Sequence, residues 1–298
     1  MPSRNLEPGQ FQIGNLIMGA HTLFKVESFD IANYDVNVQD SQSQASDRIS
    51  FGQDTFKPGP IQLTINLMKN SQYQNISAML PKMPPKLNFA NDPNLADLQR
   101  EWRAEDVMKR WGATKPLYFC GTDGITRKFF GRPDKFTYKL HRIVGSQYYS
   151  CQAAFRRLDT YAYGDTEWYL NVGKGASFAQ QFYPRGNAPS WIRILMRGPM
   201  VNPTWNIGDQ EFRLDTGKMP GGQIGADTTV EVSGYPWSQR VVDSQGNTLA
   251  AYLVTTDPYM DGLRMPENQS TEIGWNASGL GPTSNFTVLW YDAYQLVD

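Results

Sequence analysis

The sequence predicts a mainly β protein with two domains, the first carrying one helical segment and the second forming a β-sandwich. Runs rich in β-branched and aromatic residues recur along most of the 298 residues, as is typical of strands. Only one stretch spaces its apolar residues as a helix does. The second half has short strand-like runs separated by glycine-rich turns, a pattern of sandwiches and jelly rolls. A chain of this length is sufficient for about two domains.

The first strands are predicted at residues 11–19 and 22–31, which are rich in apolar and β-prone side chains. Residues 40–46 are dominated by Ser and Gln and predict an exposed loop. A further strand is predicted over residues 61–68, where every second residue from Ile61 to Leu67 is Ile or Leu. Such alternation indicates a strand with one buried face.

One helix is predicted within residues 91–113. Asp92 can cap its N-terminus, and Pro93 suits its first turn. At 100° per residue the apolar side chains form two roughly opposite faces, the first with Leu95, Leu98 and Trp102 and the second with Val107, Met108 and Trp111. Two interpretations remain open: the helix breaks near residues 103–104, or a continuous helix is covered on both sides.

Strands resume after this helix, at residues 116–121, 125–132, 135–144 and 147–159. The first two are separated by Thr122-Asp123-Gly124, which predicts a hairpin turn.

The strand-like segment "RKFFGRPDKFTY" is interrupted by Gly131, Arg132 and Pro133. Proline cannot donate to a strand ladder, and a neighbouring glycine permits the backbone of a bulge. A phosphate-binding loop would need more glycines and a following helix. The break is therefore interpreted as a bulge or a sheet edge.

The second half predicts a separate β-sandwich. We place an N-terminal domain at residues 1–165, a polar Gly- and Pro-containing connection at 166–190, and the sandwich at 191–298. Its strand-like runs are residues 191–198, 204–215, 227–234, 238–243, 248–255 and 285–297.

Composition narrows the function classes. The 28 Lys and Arg against 29 Asp and Glu give a net charge of −1, so charge does not favour nucleic acid or an anionic membrane surface. The most apolar run, residues 191–196, is too short to span a bilayer. The N-terminus lacks the apolar stretch of a secretory signal, which leads us to expect a soluble protein made in a cytoplasm.

The possible metal ligands are few and dispersed. Cys120 and Cys151 lie in strand-like runs and are expected to be buried thiols, with a disulfide as the open alternative. His21 and His141 show no metal-ligand spacing relative to them. We predict no metal site and no cofactor.

Motifs for catalysis are absent: the sequence has no H-E-x-x-H, G-x-S-x-G, Walker A or G-x-G-x-x-G. Nine carboxylates could in principle supply a glycosidase pair: Asp159, Asp165, Glu167, Asp209, Glu211, Asp257, Asp261, Glu267 and Glu272. Aromatic residues in segments 166–169 and 274–279 could stack on sugar rings. Ordinary loop polarity and strand aromatics are the favoured interpretation of both sets.

Several stretches together resemble the distal tail proteins, or minor tail proteins, of long-tailed siphovirus-type bacteriophages, particularly those of actinobacteria. No single stretch is diagnostic, but the order and spacing of the stretches are similar to those of distal tail proteins. The likeness extends from about residue 11 to the C-terminus. The stretches that carry it are "EWRAEDVMKRWGATKPLYFC", "KFFGRPDKF", "WIRILMRGPMVNPTW", "TTVEVSGYPWSQRVVDSQGNTL" and "FTVLWYDAYQLV".

The resemblance implies an architectural role in the virion. The N-terminal domain would be a belt domain that closes into a homo-hexameric ring, and the C-terminal domain a galectin-like sandwich facing outward. The ring would join the tail tube protein to the tail hub protein, with the tape measure protein and later the DNA passing through it. It would be assembled in the host cytoplasm and located at the tail tip. Neither membrane insertion nor sequence-specific nucleic-acid binding is expected.

Five residues are candidates for the contacts between subunits: Trp102, Arg103, Gly131, Arg132 and Pro133. A closed ring must fit strand edges against neighbouring copies. We therefore expect the side chain of Arg132 to meet another chain or a packed loop. Three other hypotheses remain: a sandwich that binds a host-surface glycan, a wall-degrading hydrolase, and a tail tube protein.

Overall fold

The computed structural model describes residues 5–31, 34–38, 41–42, 49–50, 55–68, 93–143, 146–173, 180–255 and 260–295. The chain forms two compact units, an N-terminal unit at Arg4–Thr160 and a C-terminal unit at Tyr161–Val297. Both consist mainly of antiparallel strands, which confirms the predicted mainly β fold. The helices of the described chain lack the length and apolar character that crossing a membrane requires.

The N-terminal unit contains twelve strands and two helices among its described residues. The strands are β1 Gln10–Ile13, β2 Leu16–Gly19, β3 Phe24–Ile31, β4 Tyr34–Asn37, β5 Ser41–Gln42, β6 Ile49–Ser50, β7 Thr55–Pro58, β8 Ile61–Met68, β9 Leu117–Cys120, β10 Thr126–Phe129, β11 Gly131–Ile143 and β12 Ser146–Arg157. The helices are α1 Pro93–Arg103 and α2 Glu105–Met108.

Two antiparallel sheets organise this unit. One has the strand order β10-β9-β1-β2, and the other has the order β11-β12-β8-β3. Phe29 of β3 packs its ring against Phe11 at 4.7 Å and Phe119 at 5.6 Å, measured between ring centroids, and so joins the two sheets. Strand β8 buries its isoleucines and leucines on one face, as the alternation predicted.

The helical segment breaks at Ala104, which decides between the two interpretations in favour of two short helices. Ala104 has left-handed backbone angles, φ 43° and ψ 45°, between α1 and α2. Leu95, Leu98 and Trp102 of α1 are buried, as expected of one apolar face. Helix α1 begins at Pro93, while the predicted cap Asp92 lies outside the described residues.

The C-terminal unit contains eleven strands among its described residues. They are β13 Ala162–Val172, β14 Gln180–Phe182, β15 Ser190–Arg197, β16 Val201–Ile207, β17 Gln210–Leu214, β18 Thr229–Ser233, β19 Arg240–Asp243, β20 Leu253–Thr255, β21 Arg264–Met265, β22 Thr271–Ser278 and β23 Asn285–Tyr294. Strands β13 and β14 fall largely within residues 166–190, which the sequence interpreted as a connection.

These strands form a two-sheet sandwich, as the sequence predicted. One sheet has the order β19-β18-β15-β23-β13, with β21 added to β15, and the other has the order β14-β22-β16-β17-β20. Strand β15 alternates buried and half-buried residues, so every second side chain points into the sandwich. The buried cluster between the sheets includes Ile192, Ile194, Trp205, Phe212, Val230, Trp275, Phe286 and Val288.

Candidate assembly surfaces

The Gly131–Pro133 break forms the start of β11, a strand at the edge of its sheet. Gly131 lies opposite Arg157 of β12, and a Cβ atom at Gly131 would overlap the carbonyl oxygen of Arg156. The strand register shifts between Pro133 and Phe136, which is a bulge. The predicted bulge at a sheet edge is therefore confirmed, and glycine is required by the close approach of β12.

Arg132 binds a packed loop of its own unit, one of the two environments that the sequence led us to expect. Its Nε donates to the carbonyl oxygen of Ala113 at 2.6 Å, and an η nitrogen donates to that of Arg110 at 2.8 Å. The backbone N–H of Lys115 donates to the carbonyl oxygen of Gly131 at 2.7 Å. Arg132 thus fixes the connection between α2 and β9 onto β11.

Trp102 and Arg103 differ in position although they are adjacent in sequence. Trp102 is 2 % exposed, and its Nε1 donates to the carbonyl oxygen of Ala154 at 3.0 Å. Its ring packs against Phe136, with 6.3 Å between the centroids. Trp102 therefore supports the core beneath α1, whereas Arg103 is exposed at the end of that helix. Participation of the five candidates in subunit contacts stays a prediction.

A charged cleft of about 790 Å³ lies beside α1. Within its lining, Lys115 and Glu101 form an ion pair of 2.5 Å and are largely buried. Gly14, in the turn between β1 and β2, lies so close to the carboxylate of Glu101 that a Cβ would overlap it. Arg103 and Asp106 also line the cleft. This pair fastens α1 to the turn, and the charged lining suits polar contacts rather than an apolar ligand.

Trp111 is an exposed aromatic residue whose environment the sequence did not predict. The sequence grouped it with Val107 and Met108 as one apolar face, but α2 ends at Met108, so Trp111 lies beyond the helix. Val107 is buried, Met108 is 41 % exposed, and Trp111 is 103 % exposed. Its position after a charged Lys109-Arg110 pair and before Gly112, where the chain turns with φ 68°, was the available sequence signal.

The two aromatic segments proposed for sugar stacking are mostly occupied by internal contacts. Trp275 is 3 % exposed, and its Nε1 donates to the carbonyl oxygens of Val172 and Gly173. Trp168 donates to Asp292 at 2.9 Å, and its ring is covered by a guanidinium 4.8 Å from the centroid. Trp275 cannot stack on a sugar, because it is a core residue. Tyr169, at 69 % exposed, presents an open ring.

Glu167, one of the nine carboxylates considered, is held in a charge network. Arg193 donates to it at 2.8 Å, and the hydroxyl of Tyr235 donates to it at 3.0 Å. Burial, reinforced by the charge and the hydrogen bond of Glu167, raises the pKa of Tyr235 well above its usual value. The hydroxyl of Tyr235 therefore stays protonated, which suits a fixed donor rather than an acid–base group.

Among the described residues, the remaining titratable candidates lie outside the charged cleft. No group of three or more His, Cys, Asp or Glu in the described chain is placed to hold a metal ion. The charged cleft includes none of the nine carboxylates, of which Asp257 lies outside the described residues. Cys120 and Cys151 are free and buried, which confirms the expected thiols. Burial raises the pKa of Cys151 to about 12.

Comparison with known proteins gives matches among solved structures only. No protein-family model and no curated protein matches the chain. The crystal structure of the SPP1 Dit (gp 19.1) protein, a paradigm of the hub adsorption apparatus in phages that infect Gram-positive bacteria, aligns with a TM-score of 0.57 at 11 % sequence identity. That alignment covers 95 % of this chain and 98 % of the other. This likeness shows a shared fold over nearly the full length.

A weaker likeness links the chain to the phage P2 baseplate in its activated conformation. The Ca and Sr forms of that baseplate each align with a TM-score of 0.47 at 9 % identity, over 94 % of this chain and 97 % of the other.

Proposed function

We propose that this protein is a structural component of a phage tail tip. The observation that carries this proposal is the fold shared with SPP1 Dit, which covers both units of this chain and almost all of the other protein. A match of this extent differs from a likeness between single sandwich domains, which recur in unrelated proteins. The order of the sequence stretches that resemble distal tail proteins is independent support.

In finer detail, we propose a distal tail protein of a siphovirus-type virion. Copies would close a hexameric ring through the N-terminal unit, join the tail tube protein to the tail hub protein, and surround the channel used by the tape measure protein and the DNA. The C-terminal sandwich would face outward. The protein would be assembled in the host cytoplasm and act without a cofactor. The bulged edge strand β11 fits a side-chain contact between copies better than open-ended strand pairing.

This function is architectural, so we propose that the protein is not an enzyme. Glu167, one of the nine carboxylates considered, is occupied by Arg193 and Tyr235. A glycosidase instead needs two carboxyl groups roughly 5 to 10 Å apart that are free to reach substrate. Incubating the full-length protein with host cell walls should release no reducing sugar, and sustained release would contradict the proposal.

The decisive experiment combines native mass with location in the virion. Six copies of a 33.7 kDa chain amount to about 202 kDa, the mass expected of a closed ring. Light scattering after gel filtration measures this mass, and antibody labelling of virions observed by electron microscopy locates the protein. We expect label at the end of the tail away from the capsid. Virions that carry no label there would overturn the proposed function.

Glycan binding by the sandwich is a second candidate, favoured by the exposed ring of Tyr169. An open aromatic face can stack on a pyranose while its hydroxyl stays in water. A glycan array probed with the full-length protein and with Tyr169→Ala tests it. Binding that the substitution removes would support this activity, and no binding at millimolar sugar would exclude it at Tyr169.

A further inference from the structure

A fully exposed tryptophan lies on a loop that the fold holds in place. Trp111 is 103 % exposed, in a segment we name the Trp111 loop, residues 109–113. Arg132 bonds the carbonyl oxygens of Arg110 and Ala113, one on each side of Trp111. The N–H of Ala113 donates to the carbonyl oxygen of Arg110, which closes the turn. The backbone of the loop is thus fixed before any partner binds, which lowers the entropy cost of binding.

An exposed tryptophan on a fixed backbone is typical of an interface anchor. Tryptophan is among the residues most enriched at binding hot spots. Its side chain can bury roughly 150–250 Å², a large part of the about 800 Å² per partner in a standard interface. Met108, 41 % exposed at the end of α2, adds apolar surface close by in sequence. These backbone contacts explain how Trp111 is presented, and none of them involves its ring.

The opposite edge of the same sheet offers a complementary surface. In the order β11-β12-β8-β3, Arg132 lies on one edge strand and β3 forms the other. This edge carries four exposed side chains, which together we call the β3 edge: Leu23, Lys25, Glu27 and Asp30. The register of β3 shifts between Val26 and Ser28, and such a bulge disfavours the addition of a further strand. Side chains rather than backbone groups are therefore available for contact.

The Trp111 loop and the β3 edge carry opposite charges, and both include apolar side chains. The Trp111 loop contains Lys109 and Arg110 and no carboxylate. Lys109 is paired with Glu105 of α2, so Arg110 supplies the available charge. The β3 edge has two carboxylates and one lysine, next to Leu23, which is 48 % exposed.

We propose that the Trp111 loop of one copy docks on the β3 edge of the next copy. The Trp111 loop is bonded to β11, and the second patch lies on β3, which is the opposite edge strand of the sheet, about 14 Å away. Two such patches make a heterologous contact, the kind that repeats around a closed ring. This inference rests on the proposed ring and names the surfaces through which its N-terminal units meet.

Mixed cysteine variants of the full-length protein test the contact. Trp111→Cys and Leu23→Cys are prepared separately, mixed and oxidised, and disulfide-linked dimers are measured by non-reducing electrophoresis. Cys120 and Cys151 are buried and free, so they do not compete. A mixture of Trp111→Cys with Ile125→Cys is the control. Ile125 lies on the β9–β10 turn and is 43 % exposed, close to the 48 % of Leu23.

We expect the mixture of Trp111→Cys and Leu23→Cys to give at least ten times as much disulfide-linked dimer as the control mixture. Links between two Trp111→Cys copies alone would indicate a symmetric contact and overturn the proposal. No link in any mixture would also overturn it, whether the protein assembles through other surfaces or stays monomeric.

A second measurement does not depend on cysteine chemistry. Trp111→Ala should raise the concentration needed for assembly by about 30-fold or more, as expected of a hot-spot residue. Tyr183→Ala, which removes an exposed ring from the C-terminal unit, should leave that concentration unchanged. Equal assembly of both variants would contradict the proposal. Labelling of virions tests the phage role separately, so either conclusion can fail without the other.

Discussion

The N-terminal and C-terminal units bury polar groups of different kinds. Among the described residues, the most deeply buried polar side chains of the N-terminal unit are Gln10 and four cations: Lys115, Arg127, Lys128 and Arg157. In the C-terminal unit the buried polar side chains are hydroxyls and one carboxylate: Ser190, Thr216, Ser233, Thr271, Ser284 and Asp292. A buried cation requires acceptors, so in the N-terminal unit the positions of loops are tied to charged groups.

This difference indicates how each unit keeps its shape. Arg157 donates from Nε to the carbonyl oxygen of Gly59 at 2.7 Å and from an η nitrogen to that of Thr160 at 3.0 Å. Arg132 holds the Trp111 loop in the same manner.

The C-terminal unit has a continuous apolar cluster between its two sheets, and hydroxyls and a carboxylate hold its loops. Ser284 donates to the carbonyl oxygen of Pro199 at 2.6 Å, and Asp292 accepts from the backbone N–H of Arg185 at 3.0 Å. We conclude that cations fix loop positions in the N-terminal unit, whereas hydroxyls and a carboxylate do so around the packed core of the sandwich.

The largest change in the free energy of unfolding is expected from a cavity in the C-terminal core. Phe286 is fully buried, with its ring stacked on Trp275 at 5.1 Å and near Trp205 at 6.2 Å. Phe286→Ala should lower the free energy of unfolding of the C-terminal unit by about 3–5 kcal/mol, because it removes buried area and leaves a cavity. Urea unfolding followed by tryptophan fluorescence measures the change.

The control for this prediction is Phe286→Leu, which keeps most of the buried volume and should cost less than half as much. Hydrogen exchange assigns the loss to a unit. Equal loss of protection in both units would show that the sandwich is not stabilised separately, and would break the comparison.

Removing a buried cation of the N-terminal unit should have a smaller but still large effect. Arg157→Met keeps the length of the side chain and leaves the carbonyl oxygens of Gly59 and Thr160 without their donor. The expected loss is about 2–3 kcal/mol. Arg156→Met is the matched control, because Arg156 is exposed on the same strand and should change stability by under about 0.5 kcal/mol. Equal effects of the two variants in urea unfolding would show that burial of the cation is unimportant.

Local patterns predicted the parts of the fold that depend on neighbouring residues. The alternation along β8 required only a strand with one buried face. The turn at Gly124 has φ 74°, which glycine adopts at no cost. The bulge between Pro133 and Phe136 followed from the proline, which cannot donate to a strand ladder. In each case the physical cause lies within a few residues, so the sequence was sufficient.

Features set by distant partners could not be predicted. Ala104 breaks the helix with a left-handed backbone, although alanine is the best helix former. Arg132 finds its acceptors near residue 111, on the far side of β9 and β10 in sequence. Trp275 lies in a segment rich in Gly, Asn and Ser that suggested exposure, but the register of β22 turns its ring into the core.

Loosening the Trp111 loop tests the directional bonds at a more exposed position. Arg132→Met should lower the free energy of unfolding by about 1–2 kcal/mol, because two carbonyl oxygens lose a charged donor but can still reach water. Hydrogen exchange should rise at Ala113 and Lys115 more than in the strands. Lys135→Met, at an exposed position of the same strand, is the control. A uniform increase in exchange across the unit would mean that Arg132 supports the whole fold rather than this loop.

The smallest effect is expected at the ion pair between the buried Arg127 and the exposed carboxylate of Asp123, at the turn of the β9–β10 hairpin. The hydrogen bond from Arg127 lowers the pKa of Asp123 below its usual value, so the folded state favours the charged carboxylate. This contribution is present above about pH 4 and is lost as the pH falls through the lowered pKa. The side chain of Asp123 is 42 % exposed, so the contribution should be under about 1 kcal/mol. The difference in unfolding free energy between the wild type and Asp123→Asn should shrink from pH 7 to pH 3. If this pair, with its exposed carboxylate, contributed as much as Arg157 does, stabilisation by the N-terminal cations would not depend on withdrawing the acceptor from water, and the contrast between the two units would lose its basis.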